Sequence, residues 1–484
     1  MSLSKTYLRW IERTLSVRLS HAWDRGVVGF DETNLVSCAG LVPVMGLAEQ
    51  TGLSALLDEH VRFTSEVVRS GAANPTPKLT SIIAGLTAGA DSIDDLDVIR
   101  AGGTKRLFCS VYAPTTLGTL LREFTGGHVR QLQAVQGRHL LALAQRTGVL
   151  DGIGERAFVD IDSLLRPVYG HAKQGASFGH TKIAGKQVLR RGLSPLVTAI
   201  STPAAAPVVS GIRLRAGRAG SGRGAASMLT EAINVAKAAG AQNILVRGDA
   251  AYGNSSVIWA ALRAKVGFSV VLTRTPPVNR AIGSISEQAW VPVQYPGAVN
   301  DPDTGELISD AQVAEVTYTA FAGTAQAVTA RLVVRRVRDR NYGPEDEMFP
   351  VWRYHPFFTN NSEPVADADI THRRHAVIET LFADLIDGPC AHMPSGSFTA
   401  NSAWVVLAAI THNLLRAAGT LAGPAMAVAR GATLRRHLVN VPARFTRPQG
   451  RPTLHLPAHW PRATTWNKLW NNVFACEPAV QVAA

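Results

Sequence analysis

Short β-rich runs alternate with helical stretches between residues 156 and 275, and this alternation constrains the fold more than any other feature. The runs AFVDIDSLL, SPLVTAI, PVVSGIRLR, QNILVRGD and FSVVLTR are separated by turns and by a helical stretch from about Ala225 to Ala239. That order predicts an α/β domain built around a mixed β-sheet.

The segments on either side have other patterns. Residues 1–150 show apolar residues at three-to-four spacing, which predicts a helical region. The runs VAEVTYTAF and ARLVVRRVR predict antiparallel strands of a β-rich insertion, and WRYHPFFTN predicts one more strand before helices at about 367–387 and 399–419. We therefore divide the α/β multidomain chain into five parts: 1–150, 151–284, 285–350, 351–420 and 421–484.

A possible DNA-reading element lies in the helical region. The run LAEQTGLSALLDEHV has the small residues and the glycine, Gly52, of a helix-turn-helix. An ordinary helix hairpin has the same layout, so both interpretations stay open.

The charge of the chain indicates a polyanionic partner. Lys and Arg outnumber Asp and Glu by 49 to 36, for a formal charge of +13, which favours nucleic acid. No Asp or Glu occurs from Gly388 to Cys476, and the stretch from Arg213 to Gly224 is a second basic segment. We expect both segments to contact a DNA backbone. The arginines chosen for this role are Arg218, Arg223, Arg435 and Arg436.

Several other classes of protein do not fit the sequence. The four cysteines lack C-x-x-C spacing, so neither a disulfide framework nor a zinc finger is indicated, and a reducing cytoplasm fits. The N-terminus carries charges throughout and has no signal-peptide core. The apolar stretch from Ala403 to Val428 contains His412, Asn413 and Arg416, which favours a buried helix over a membrane span. We expect no membrane partner.

A phosphate-loop nucleotide site also fails on chemistry. Gly217 and Gly222 have the required spacing, but Arg223 stands in place of the lysine and Gly224 in place of the Ser or Thr that would hold magnesium. We expect no nucleotide cofactor. No G-x-S-x-G or H-E-x-x-H motif is present to indicate a serine hydrolase or a zinc protease.

Carboxylates are rare in the α/β domain, and three of its four lie on predicted strands. In FVDIDSLL, the two-residue period of a strand places Asp160 and Asp162 on one face. Asp249 falls where the strand of QNILVRGD ends and a turn begins, a place where open sheets commonly carry functional groups. A helix N-cap is the alternative for Asp249, and a turn former is the alternative for Asp162. Carboxylates from two strands and one helix are able to hold a pair of Mg²⁺ or Mn²⁺ ions.

The helix in ITHRRHAVIETLFADLIDG supplies the third carboxylate. Glu379 borders the apolar face of this helix, and a pairing of Glu379 with His375 is the structural alternative. Basic groups that precede it by one to two turns are placed to grip a phosphate. They are His372, Arg373, Arg374 and His375.

Together these features resemble the DDE transposases of bacterial insertion sequences, and in particular the thirteen-eighty group. The resemblance covers most of the chain and rests on FDETNLVSCAGLVPVMGLAEQTGL, VDIDSLLRPVYGHAKQGASFGHTK, LVRGDAAYG, HRRHAVIETLFADLIDG and MPSGSFTANSAWVVLAAITHNLLR, in this order.

The resemblance implies an RNase H-like catalytic core and a catalytic triad of Asp162, Asp249 and Glu379 holding two Mg²⁺ or Mn²⁺ ions. The family's first Asp typically precedes Ser or Thr, which selects Asp162, with Asp160 kept as a neighbour that shares the metal role. It also implies double-stranded DNA as partner, both terminal inverted repeats and target, and a homodimer on DNA. Asp249 and Glu379 are 379 − 249 = 130 residues apart, which a β-rich insertion explains.

The sequence departs from the family's Tyr-x-x-Arg-x-x-x-Glu pattern. His372 stands where Tyr is expected, His375 where Arg is expected, and Ile386 where a later Lys is expected. Arg373 and Arg374 keep positive charge nearby, so we expect an altered grip on the terminal nucleotides. Two alternatives remain: an inactive DNA-binding protein descended from a transposase, and a metal nuclease without strand transfer.

Overall fold

A computed structural model gives the structure of the protein. It describes residues 27–63, 70–183, 186–220, 222–296, 300, 302, 305, 311–338 and 351–475. Parts of the predicted N-terminal region, of the insertion and of the C-terminal tail therefore lie outside the described residues.

The strands are short except in the predicted insertion. In chain order they are β1 (Leu35–Val36), β2 (Ala157–Ser163), β3 (Arg166–Pro167), β4 (Ser177–Ile183), β5 (Lys186–Leu193), β6 (Leu196–Ser201), β7 (Val208–Arg213), β8 (Ile244–Gly248), β9 (Gly267–Val271), β10 (Val291–Pro292), β11 (Ala311–Ala320), β12 (Val328–Arg338), β13 (Trp352–Thr359), β14 (Ala443–Thr446) and β15 (Thr453–His455).

Helices precede, interrupt and follow these strands. They are α1 (Leu41–Gln50), α2 (Leu53–His60), α3 (Pro75–Ala88), α4 (Pro114–Glu123), α5 (Gly126–Arg146), α6 (Ala225–Ala238), α7 (Ser255–Arg263), α8 (Pro276–Gly283), α9 (Val365–Arg373), α10 (Val377–Ile386), α11 (Phe398–Ala422), α12 (Pro424–Ala427), α13 (Gly431–Leu434) and α14 (Ala463–Phe474).

One mixed sheet of nine strands organises the described chain, in the order β10-β11-β12-β13-β9-β8-β2-β6-β7. Strands β2, β8 and β9 run parallel to one another, whereas β6 pairs with β2, and β7 with β6, in antiparallel fashion. The predicted mixed α/β architecture is therefore confirmed. The sheet is buried on both faces around β2, β6 and β8, because helices cover it, and these strands are accordingly rich in Val, Ile and Leu.

The strands of the predicted insertion, β10, β11 and β12, and strand β13 that follows it continue the same sheet. Strand β13 pairs with β9 through Phe357–Thr359 and Ser269–Val271, and β12, β11 and β10 follow outward. The sequence predicted these antiparallel strands but not their union with the α/β sheet. Backbone hydrogen bonds thus connect the insertion to the strand that follows Asp249.

A three-stranded sheet, β3-β5-β4, leaves the main sheet between β2 and β6, and the sequence analysis did not predict it. One face of the β4–β5 hairpin lies close to the segment after β7. A side chain at Gly179 would collide with the carbonyl oxygen of Gly217, so glycine is required at this approach.

The helix-turn-helix layout appears as two helices, α1 and α2. Gly52 joins them with φ +73°, a left-handed conformation that glycine adopts without strain. Leu47, Leu53 and Leu57 are fully buried, so this pair contributes to the helical core. Its role in reading DNA stays a prediction.

Helix α11 runs through the centre of the protein. It is one helix in the described part that is long and apolar enough to cross a membrane, and 89% of its apolar window is buried inside the protein. The Trp404 indole N–H donates to the carbonyl oxygen of Pro389 at 2.6 Å, and Asn413 pairs with the backbone of Val209 on β7. The stretch is thus a buried core helix, as the sequence predicted.

The helix predicted at about 367–387 is interrupted. Helix α9 ends at Arg373, a single 3₁₀ turn covers Arg374–Ala376, and α10 then begins at Val377. Glu379 therefore lies in the first turn of a separate helix.

Candidate active site

Two of the predicted carboxylates occupy equivalent positions on neighbouring parallel strands. In the pairing of β2 with β8, Ile161 lies opposite Gly248, and the next residues along the two strands are Asp162 and Asp249. Adjacent strands are about 5 Å apart, so the two carboxylates emerge side by side at one edge of the sheet. The parallel register explains why residues 87 positions apart meet.

Local backbone geometry holds each of these aspartates. The Asp162 carboxylate accepts a hydrogen bond from the Ser163 N–H at 2.6 Å, and the Asp249 carboxylate accepts one from the Ala251 N–H at 2.9 Å. Asp162 is partly buried, whereas Asp249 is exposed. The turn after β8 therefore presents the Asp249 carboxylate to solvent at the sheet edge.

Glu379 reaches the same place from α10. A pocket of about 620 Å³ is lined by Asp162, Asp249 and Glu379, together with His180 and His375. Glu379 is exposed, and among the described residues neither it nor Asp249 forms a salt bridge. The alternative pairing of Glu379 with His375 is thus not found, and the three predicted carboxylates face one cavity.

Asp160 has a different environment. Its two carboxylate oxygens accept hydrogen bonds from Arg247 on β8 at 2.7 and 2.8 Å, and both side chains are only 1% exposed. The Arg247 guanidinium also lies 4.0 Å from the centre of the Phe158 ring and donates to the Thr371 carbonyl oxygen at 2.8 Å. Arg247 therefore connects β2, β8 and α9 in the wall of the pocket, which Asp160 and Arg247 also line.

Tyr252 reports the negative character of this edge. Burial raises the pKa of the Tyr252 hydroxyl above its ordinary value, and the nearby carboxylates of Asp162 and Asp249 raise it further. The two carboxylates disfavour a third negative charge on the phenol, whereas a hydrogen bond with Ser163 and the Arg215 guanidinium lower its pKa. A cation is the complement that such an edge favours.

The four basic groups before Glu379 divide into buried and exposed members. His372 is buried: its ring stacks on Phe357 at 4.2 Å between centroids and shares a hydrogen bond with Ser269 at 2.9 Å. His375 lines the pocket, and Arg373 and Arg374 are exposed. His372 was expected at a DNA-binding surface, but it faces the sheet, where burial lowers its pKa and keeps the ring neutral.

The other predicted DNA-binding arginines divide in the same way. Arg218 and Arg223 are exposed in the loop after β7, and Arg436 is exposed after α13. Arg435 is buried and donates to the Asp387 carbonyl oxygen at 3.1 Å. Arg435 thus stabilises the packing of the C-terminal segment on α10, which differs from the expected surface role.

A larger cleft of about 850 Å³ lies elsewhere, between the N-terminal helices and the small sheet. Its described lining includes Arg122, Arg166 and Lys173 but a single carboxylate, Asp94. Because it lacks the paired acidic groups, we assign no metal chemistry to it despite its size.

With this geometry in place, comparison with known families is decisive. The family described as "Transposase DDE domain group 1" matches residues 24–478. The chain belongs to this family.

Curated proteins and a solved structure do not narrow the assignment of this transposase-family chain further. No curated protein matches it. Among solved structures, the cryo-EM structure of a piggyBac transposase synaptic complex with hairpin DNA is similar, with 11% sequence identity, a TM-score of 0.42, and coverage of 82% of this chain and 79% of that chain. A likeness at that level supports no conclusion about this chain.

The carboxylates of this DDE-family chain fit a divalent cation in their chemistry. Hard ions such as Mg²⁺ and Mn²⁺ prefer carboxylate oxygens. The pocket offers Asp162, Asp249 and Glu379, whereas Asp160, which also lines it, is held by Arg247. Within the described residues, no three His, Cys, Asp or Glu side chains stand close enough to hold an ion as placed. Ligation by all three therefore requires their side chains to approach one another.

A basic patch next to the pocket was missed in the sequence analysis except for its member Arg373. Arg335 on β12 lies directly opposite His355 on β13, and Arg353 follows two residues away on the same face. Burial lowers the pKa of His355, and the guanidinium groups of Arg335, Arg274, Arg353 and Arg373 lower it further. We call these five residues the basic patch. Arg335 also lies near His372, whose ring is 4.9 Å from that of His375 in the pocket.

Proposed function

We propose that this protein is the DNA transposase of an insertion sequence of the thirteen-eighty group. In this proposal it binds terminal inverted repeats, cleaves DNA and joins the freed end to target DNA, in the bacterial cytoplasm and as a dimer on DNA. The main support for this proposal is that Asp162, Asp249 and Glu379 line one pocket in a chain of the DDE transposase family.

We further infer an RNase H-like core. Strands β2, β6 and β7 form an antiparallel meander, and β8 and β9 lie on the other side of β2, parallel to it. The first aspartate lies on the central strand and the second at the end of its parallel neighbour. This arrangement supports the proposal, because an RNase H-like core uses the same strand order and the same two positions.

The proposed roles of the acidic residues follow from their environments. Asp162, Asp249 and Glu379 would hold two Mg²⁺ or Mn²⁺ ions, which when bound supply activation of the attacking hydroxyl and stabilisation of the leaving oxygen. Asp160 and Arg247 would act as positioning residues, since their bidentate pair fixes β2 against β8 and holds the end of α9. The 3₁₀ turn after α9 joins that helix to the one that carries Glu379.

The DNA backbone would lie across the basic groups around the pocket. The basic patch, Arg374, and Arg218 and Arg223 of the loop after β7 would supply this positive charge. Phosphate contacts by Arg position a duplex without reading its sequence. Cationic walls around an anionic pocket are what a metal-dependent phosphoryl transfer site requires.

Cleavage of a labelled fragment carrying the element's own end tests this function. We expect the wild-type protein with Mg²⁺ or Mn²⁺ to cut at the end and to join the product to a target plasmid. Asp162→Ala, Asp249→Ala and Glu379→Ala are expected to bind the fragment and leave it uncut. Arg263→Ala, at the opposite edge of the sheet, is the matched control and should cut normally.

The outcomes separate the competing functions. Cutting without joining would show a metal nuclease, and binding without cutting would show an inactive DNA-binding descendant. If Asp162→Ala still cuts while Asp160→Asn folds normally and does not, the first metal ligand is Asp160 and the assignment is wrong.

A further inference from the structure

The β4–β5 hairpin has one covered face and one open face. Gly179 is buried against the segment around Gly217, so its neighbours Phe178 and His180 point to the opposite side. In the hairpin register, Phe178 lies opposite Arg191 and His180 opposite Leu189. Phe178 is 64% exposed and Leu189 is 59% exposed. A large aromatic and a large aliphatic side chain thus share an open face.

This open face borders the carboxylate pocket. His180 lines the pocket together with Asp162, Asp249 and Glu379. Phe178 precedes His180 by two residues on the same strand face, a separation of about 7 Å. Phe178 is therefore one step along the strand face from a residue that lines the pocket.

The charge around the hairpin favours a polyanion as the ligand of its open face. The sequence from Ser163 to Thr230 contains no Asp or Glu. Arg191 lies opposite Phe178 on the open face, and Arg218 is exposed beside the hairpin, where the Ser177 hydroxyl oxygen accepts a hydrogen bond from the Arg218 N–H at 2.8 Å. Exposed apolar side chains within an acid-free, cationic segment match the combination that binds unpaired nucleotides, in which bases stack on rings and cations follow the backbone.

We propose that Phe178, supported by Leu189, is a stacking site for an unpaired base of the DNA strand that enters the carboxylate pocket. The inference rests on the proposed function, since it takes DNA as the substrate. A base that leaves the duplex stack loses stacking energy, and an aromatic face beside the reaction site offsets part of that loss. The site would favour DNA that is frayed or distorted at the position of cleavage.

Photo-cross-linking tests the site directly. The probe is a short duplex with a single-stranded overhang that carries iododeoxyuridine at the junction, incubated with full-length protein without divalent ions. We expect ultraviolet light to cross-link the base to Phe178, identified by mass spectrometry. Phe178→Ala should abolish the cross-link, and Phe178→Trp should preserve base stacking.

Binding measurements supply a second readout. We expect wild type to bind the overhang duplex more tightly than a blunt duplex, and Phe178→Ala to lower this preference roughly tenfold, as loss of one stacked base predicts. Leu189→Ala should lower it less. Phe30→Ala, which removes another exposed phenylalanine outside the hairpin, is the matched control and should leave the preference unchanged.

Results that contradict the stacking site differ from those that contradict the proposed function. No wild-type preference for the overhang, or an equal preference in Phe178→Ala, overturns the stacking site even if the protein cuts DNA normally. If Phe178→Ala instead changes the oligomeric state in light scattering and leaves base cross-linking intact, the open face contacts a second copy of the chain. Failure of wild type to cut with Mn²⁺ would count against the proposed function and not against base stacking.

Discussion

Arg247 donates to both carboxylate oxygens of Asp160 across the β2–β8 pairing, and the two side chains are almost entirely removed from solvent. The next residue on the same face of β2 is Asp162, at the pocket, and two residues after Arg247 is Asp249. A buried ion pair therefore lies next to two carboxylates that line the same pocket. The two aspartates of the VDID segment therefore differ in their environments, a difference that sequence spacing alone does not predict.

We expect disruption of this pair to destabilise the protein. Arg247→Met leaves the Asp160 carboxylate buried without its partner, which costs about 3–5 kcal/mol of unfolding free energy. Arg213→Met, which breaks the more exposed pair with Glu231, should cost at most about 1 kcal/mol. Urea denaturation measures both. Equal losses in the two variants would contradict a special role for the buried pair.

We also expect the pocket carboxylates to bind Mn²⁺ in the absence of DNA. A saturating ion that binds only the folded state adds about 2.7 kcal/mol at a hundredfold excess over its Kd, so the melting temperature should rise. The double variant Asp249→Asn/Glu379→Gln should lose this rise. Asp94→Asn, in the larger cleft, is the control. A rise that persists in the double variant and disappears in Asp94→Asn would place the ion in the other cavity.

The basic patch should contribute phosphate contacts. Arg274 and Arg353 are exposed, so Arg274→Gln and Arg353→Gln should weaken duplex binding about equally for all sequences. Each should reduce the slope of log affinity against log salt by about 1. Fluorescence anisotropy over a salt series measures this slope. Arg263→Gln, at the opposite edge, should keep the wild-type slope, and an identical change there would show that only net charge matters.

Buried histidines should make the protein less stable in mild acid. Burial lowers the pKa of His139 to about 4, so the unfolded chain binds a proton near its ordinary pKa of 6.5 while the folded protein does not. Stability is therefore lost as the pH falls from about 6.5 towards 4, by about 2 kcal/mol at pH 5 for this residue.

The variant His139→Gln tests whether His139 causes this loss of stability. It should retain a hydrogen-bonding group near the Thr51 hydroxyl, which lies 3.0 Å from the His139 ring, and should flatten the dependence of unfolding free energy on pH between 7 and 5. His412, whose pKa burial also lowers to about 4, would account for a remaining slope. An unchanged slope in His139→Gln would show that His139 titrates in the folded protein.

Local patterns predicted the strands that carry the site, because alternation and apolar runs mark Ala157–Ser163 and Ile244–Gly248 directly. They also indicated the helix of Glu379. The partner of Asp160 was not predictable in this way, since Arg247 is 87 residues away and only the parallel register joins them. Burial of His372 and Arg435 was missed for the same reason: a basic residue reads as exposed until its tertiary neighbours are known.

The β4–β5 hairpin was missed on different grounds. Its strands SFGHTKI and KQVLRRGL contain glycines and cations and have no clean apolar face, because one face approaches backbone at Gly217 and the other is open. The 3₁₀ turn at Arg374–Ala376 has no proline or glycine to mark it. Both features depend on packing, and both lie beside the pocket.

One continuous sheet joins the basic residues of β12 and β13 to the strands that carry the carboxylates, so the distance between these two groups of residues is fixed. Strands β12 and β13, which carry Arg335, Arg353 and His355, are two to three strand positions from β8, or about 10–15 Å at the spacing of paired strands. Along duplex DNA this corresponds to about three to four base pairs at 3.4 Å per step. Since backbone hydrogen bonds span the whole interval, the proposed function implies that the phosphates bound by β12 and β13 and the bond to be cut keep a constant offset, set by the protein and independent of DNA sequence.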